Sequence, residues 1–145
     1  MLQNEKSPLT YRGCVMPWQC DQMGHMNSRH IYAVFDDATA AFMSFIGGPL
    51  SEAGTNGLGW ADVHQAIDFR REIHDGEIIT VHSSMLDLGR TSISFVHSMT
   101  TDSRDALAAE LHSKTVRFDL SARCAVPLEA GLRRHVESLV EKDTQ

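Results

Sequence analysis

The chain is 145 residues long, 42% apolar and 22% charged, ordinary globular proportions that exclude wholesale disorder and allow one continuous core. Its formal net charge of −6 leaves it without the broad basic face that a nucleic acid or an anionic membrane surface requires, so neither is an expected partner. A small local basic site for a phosphorylated ligand stays open, and no apolar run approaches the roughly 20 residues that span a bilayer.

In chain order, residues 1–8 read as a loose lead-in without a charged-then-apolar leader. Residues 11–18 read as a first strand, ended by the polar "QCDQMG" turn. A helix beginning at Ser28 follows, in which Ile31, Val34, Phe35, Ala38, Ala41, Phe42, Phe45 and Ile46 recur at three- and four-residue steps. Gly47, Gly48 and Pro49 stop it, and "SEAGTNGLG" reads as a loop. The period then changes from helical to alternating. Strands are expected over 63–73, 78–86, 92–100 and 107–119, with Ile93, Phe95 and Met99 sharing one face of the third. The short breaks "HDGE", "LGR" and "TDSRD" predict antiparallel hairpins between neighbours. After Pro127, a weaker amphipathic helix carries Leu128, Leu132, Val136, Leu139 and Val140. No repeat or linker divides the chain, so a single domain over 1–145 is expected. It is an α+β arrangement in which a sheet curves around one broadly apolar helix. Cys14, Cys20 and Cys124 form neither an even framework nor C-x-x-C, which suits a reducing compartment and a cytoplasmic protein.

The helix entrance carries the candidate chemistry. Asn27 is a good N-cap, yet one cap cannot satisfy every orphan amide of a first turn. The backbone N–H of Ser28 is left at the positive helix end, where it can polarise a carbonyl oxygen and hold the oxyanion formed on attack. Gly24 permits a sharp turn, and Asp21 lies upstream, where a carboxylate can attack directly or activate water. An Asp-x-x-Gly ahead of a helix is more often simply a turn with a cap, and the residues alone leave both readings open.

"DQMGHMNSRHIYAVFDDAT" resembles the hot-dog-fold acyl-CoA thioesterases of the 4-hydroxybenzoyl-CoA thioesterase type: an aspartate, a glycine three residues later, an asparagine-containing entrance and a long apolar helix. The similarity continues through "VHQAIDFRREIHDGEIITVHSSMLDLGRTSISFVHSM" and "LAAELHSKTVRFDLSARCAVPL", from about Tyr11 to Leu128. Within that superfamily the chain is most similar to thioesterases of carnitine breakdown, which act on betainyl-CoA. The resemblance implies a hot-dog fold, a long helix wrapped by a curved antiparallel sheet of five or six strands. It also implies assembly as a homodimer or homotetramer, with active sites at the interface between two subunits. Asp21 matches the family's nucleophile or general base, and Ser28 the position whose N–H polarises the thioester carbonyl. His25 and Asn27 match motif places that orient the loop or touch substrate. Some subgroups carry a histidine where this chain has Ser28, so no side-chain role transfers there. The implied reaction is hydrolysis of acyl-CoA to a free acid and CoA. Asp21 either forms a transient anhydride or deprotonates water, and the thiolate leaves without obligatory protonation. No metal or redox cofactor is required.

Among the remaining residues, His64 is a candidate for the acyl pocket or for an interface. Arg90, in a turn that the resemblance places near the pantetheine and nucleotide channel, can meet a CoA phosphate or simply be solvated. Trp18 and Trp60 can stack on a quaternary ammonium or pack into the core. The histidines show no ligand spacing: His25 and His30 are five apart, and His74, His82, His97 and His112 are scattered, so no metal site is expected. Two other functions fit the entrance. One is a hydratase or dehydratase on the same fold, using Asp21 with His25; the other is a noncatalytic acyl-CoA-binding module.

Overall fold

The computed structural model describes residues 6–140, so most of the lead-in expected over 1–8 lies outside the described residues. The elements run β1 (Leu9–Cys14), α1 (Ser28–Ile46), a short α2 (Ala53–Asn56), β2 (Leu58–Phe69), β3 (Ile78–Leu88), β4 (Ser92–Thr101), β5 (Arg104–Asp119), β6 (Cys124–Ala125) and α3 (Ala130–Leu139). One antiparallel sheet has the order β1-β3-β4-β5-β2, with β6 paired to the end of β5. The described residues include no helix long and apolar enough to cross a membrane.

Helix α1 has the bounds its sequence predicts. Asn27 takes an extended conformation and its side chain accepts from the N–H of Arg29, while Gly47 closes the far end at φ 90°, a left-handed position that glycine takes at little steric cost. The buried stripe is Ile31, Val34, Phe35, Ala38, Phe42, Met43 and Ile46. Ala41 and Phe45, expected within it, are exposed. It faces the alternating inner residues of β4, Ile93, Phe95, His97 and Met99, all buried.

Three expectations change. β1 ends at Cys14 rather than at residue 18, because Pro17 has no N–H for a ladder and instead opens a 3₁₀ turn, Pro17–Gln19. β2 begins at Leu58 and ends at Phe69, and the loop before it contains a 3₁₀ turn, Leu50–Glu52, and α2. The segment containing "HDGE" is not a hairpin: β2 pairs with β5, whereas β3 pairs with β1 and β4. Residues 70–77 cross instead to the helix entrance, where Ile73 is buried and its carbonyl accepts from Met26 N–H at 2.7 Å. An isolated bridge pairs His25 with His74 beside it. Burial of Ile73 against the α1 entrance therefore decides the route, and a local turn signal cannot report it.

Between sheet and helix the core forms two hydrophobic clusters. One, including Val15, Met26, Ile31, Val34, Ile73 and Val81, underlies the helix entrance. The other, including Phe42, Ile46, Met85, Phe95, Val136 and Leu139, lies under α3. His97 stands between them, stacked on Phe35 of the first and against Phe42 and Phe95 of the second. Thr39 donates its hydroxyl to the Phe35 carbonyl at 3.0 Å, so it accepts from His97 Nε2–H at 2.9 Å. The Ser83 hydroxyl then donates to Nδ1 at 2.5 Å, itself 2.7 Å from Thr10 Oγ1. This network satisfies a neutral imidazole, and burial lowers the His97 pKa to about 4.

At the far end, Arg117 of β5 is buried and pairs with Glu52 and Glu129, both at 2.9 Å, with its guanidinium 4.9 Å from the centre of the Trp60 ring. Burial alone would lower its pKa; Glu129 and Glu52 outweigh this and raise it. α3 is tied to the β3–β4 turn through Arg133, which donates to Gly89 O at 2.5 Å, and through Leu128 N–H to Arg90 O at 3.0 Å.

Candidate active site

The segment ahead of α1 folds as a small hairpin. Asn27 N–H donates to Gln19 O at 2.8 Å, Cys20 and Met26 form an isolated bridge, and Asp21 N–H donates to His25 O at 2.8 Å. Gly24 sits at the turn with φ 81°, a conformation costly for any other residue. The Asp21 carboxylate belongs to this turn: its Oδ1 accepts from Met23 N–H at 2.9 Å and from His25 N–H at 3.3 Å. Its Oδ2 has no partner among the described residues, and Asp21 is exposed. One oxygen of a single side chain thus holds the loop.

At the head of α1, Arg29 N–H is taken by the Asn27 side chain at 3.0 Å, and the N–H groups of His30 and Ile31 by the Asn27 carbonyl at 2.9 and 3.1 Å. The N–H of Ser28 has no acceptor among the described residues, and Ser28 is exposed. It is an unsatisfied donor at the positive end of a 19-residue helix.

Beside this entrance lies a cavity of about 300 Å³ lined by Met26, Ile31, Phe69 and Ile73, with His25, Arg70, Arg71 and Glu72 around them. The His25 imidazole pairs with Glu72, Nε2 to Oε2 at 3.0 Å, and stands edge-on to His74 at 5.1 Å. Its backbone, not its ring, meets the Asp21 carboxylate, so the two side chains do not form the acid–base pair that a hydratase reading calls for. A second cavity, also of about 300 Å³, is polar and lined by Arg71, Glu72, His74, Glu77 and Arg104. Partial burial pushes the Glu77 carboxyl up, but His74 N–H, the Ser103 hydroxyl and Arg71 together hold it below its ordinary value.

The sequence-derived candidates separate within one chain. Asp21, His25, Asn27 and Ser28 gather at the entrance. Trp18 stands there too, 68% exposed and edge-on to His30 at 5.1 Å. His64 is exposed midway along β2, opposite Lys114 and next to a register shift. Trp60 donates its indole N–H to Gly48 O at 3.0 Å and packs on the far cluster, at the other end of a helix about 28 Å long. Arg90 is exposed at the same end, its carbonyl holding Leu128. Asp62, also on β2, has its pKa raised by partial burial, with the nearby Asp36 charge adding to the effect. His74 was counted among scattered histidines and Glu72 went unnoticed, because nearly fifty residues separate them from His25 and only the crossover brings them there.

A family model described as the thioesterase-like superfamily matches residues 15–136. No curated protein matches the chain. Among solved structures, a Staphylococcus aureus protein in complex with CoA superposes with a TM-score of 0.83 at 15% identity, covering 96% of this chain and 90% of that one. A 1,4-dihydroxy-2-naphthoyl-CoA thioesterase from Synechocystis gives 0.78 at 19% identity, over 90% of this chain and 96% of that one. A gentisyl-coenzyme A thioesterase gives 0.74 at 21% identity, over 88% and 98%. At these identities the likeness is one of fold.

Proposed function

The chain belongs to the thioesterase-like superfamily and has its hot-dog fold, and from that premise we propose that it hydrolyses acyl-CoA thioesters to a free acid and CoA. The observation that carries the reading is the unpaired Ser28 N–H at the head of α1, set beside a cavity and the Asp21 loop. A thioester carbonyl seated on that amide gains most where negative charge develops on its oxygen, in the tetrahedral transition state. The unpartnered Oδ2 of Asp21 is the nucleophile or the base for water, while Oδ1 keeps the loop in place. CoA leaves as a thiolate.

The acyl group we propose is betaine- or carnitine-derived, since the exposed face of Trp18 beside the entrance is a platform for a quaternary ammonium. Two chains are proposed to join along β2, whose outer edge has no partner among the described residues and exposes Val63 and Phe69. His64 would then lie at the junction. Three unpaired cysteines suit a cytoplasmic setting.

Thiol release measured across a panel of acyl-CoAs tests the reading with two variants that spare the fold. Asp21→Asn keeps an acceptor oxygen for Met23 and His25 and removes the carboxylate. Ser28→Pro deletes the amide at a first helical position where proline is welcome, and Asn27, at φ −69° and ψ 141°, already has the conformation that precedes proline. Both should lower kcat/KM by roughly 100-fold or more with the thermal midpoint nearly unchanged. Release that survives both substitutions, or a parent that releases no thiol from any member, refutes the assignment.

A further inference from the structure

The crossover and the entrance hairpin place His25, Glu72 and His74 on one face, and we propose that these three side chains bind a divalent transition-metal ion of the zinc type. Their ligand atoms lie within 4.8 Å of one another, and His25 Nε2 and Glu72 Oε2 are already 3.0 Å apart. Tetrahedral zinc, with bonds of about 2.0–2.2 Å, sets its ligand atoms roughly 3.3 Å apart, so only small side-chain rotations separate this cluster from a coordination shell.

The backbone prepares the arrangement. His25 and His74 are partners in an antiparallel bridge, which puts their side chains side by side, and Glu72 is two residues before His74, both exposed on either side of the buried Ile73. His74 Nδ1 lies 3.2 Å from Gly24 O. An N–H donated there fixes the tautomer that leaves the Nε2 lone pair free, the outer contact typical of metal-binding imidazoles. The carboxylate of Glu72 is not neutralised by its neighbour: Arg71 faces Glu77 at 3.6 Å. Two imidazoles and one carboxylate make a set suited to zinc and its transition-metal neighbours rather than to calcium or magnesium, which want all-oxygen shells. Three protein ligands leave at least one position open. Because His25 and Glu72 also line the cavity at the entrance, that position is accessible to an anionic group seated there. This inference does not depend on the hydrolytic reading, and its test does not use activity.

The full-length, chelator-treated protein is titrated with Zn²⁺ at neutral pH by calorimetry, and with Co²⁺ by visible absorption. One equivalent per chain is expected, with the Co²⁺ bands of a four- or five-coordinate site. His74→Ala and Glu72→Gln, both at exposed positions, should each weaken binding by more than the roughly 10–100-fold that loss of an outer contact costs. His112→Ala removes a different histidine–carboxylate pair, His112 and Glu110 at 2.7 Å, and should leave the affinity as it is. No stoichiometric uptake of either ion, or uptake that both His74→Ala and Glu72→Gln leave intact, overturns the proposal.

Discussion

His97 shows how a polar residue is made to belong in an apolar layer. Its parity was readable, since it falls between Phe95 and Met99 on the inner face of β4, but its partners Ser83 and Thr39, and Thr10 behind Ser83, lie on three other segments and leave no trace near it in sequence. With a folded-state pKa of about 4 against an ordinary value of 6.5, the unfolded chain takes up the proton first as pH falls. Stability is therefore full above about pH 6.5 and drains away towards pH 4. Between pH 7.5 and 4.5 this one group should cost about 2–3 kcal/mol, read from urea midpoints at the two pH values. His97→Gln, which cannot titrate, should flatten that difference. An equal pH slope in parent and variant would show that the imidazole is not the titrating group.

At the scale of elements, what the sequence made legible is what is local. α1 was readable to its ends, because the apolar step, the Asn27 cap and the Gly47 stop all lie within the segment they define. The cap should contribute about 1 kcal/mol: Asn27→Ala strands the Arg29 amide and should lower the free energy of unfolding by that amount in a denaturant titration. The strands were found as alternating runs, and so were the hairpin partners across "LGR" and "TDSRD", but the partner of β2 was not. A pairing such as β2 with β5 is decided by burial between segments about fifty residues apart. The same blindness hid the histidine–glutamate cluster, whose members meet only after Ile73 is buried under α1. Of the candidate site, the Asp21 loop and the Ser28 amide were legible because both are consequences of one short helix entrance. For Trp60 the sequence left two readings, and within one chain its indole packs, engaged with Gly48 and Arg117 at the opposite end of α1.

For the whole molecule, β2 is one edge of the sheet, with β1 at the other. The inner side of β2 is paired to β5, its outer side to nothing among the described residues, and Val63 and Phe69 are each 56% exposed there. Such an edge invites a second strand, and a charge placed on it discourages one. Sedimentation should find the parent as a dimer or larger and Val63→Lys shifted towards monomer, with far-ultraviolet circular dichroism unchanged. A parent that sediments as a monomer at micromolar concentration would exclude pairing along this edge. The divided core carries a different consequence. The two hydrophobic clusters meet through the His97 layer, and residues without shared neighbours respond to substitution almost independently. The compartment bordering the entrance can change side-chain volume to follow a new guest, while its counterpart beneath α3 goes on keeping the sheet curled. Such a scaffold can diversify what it accepts without renegotiating how it stands.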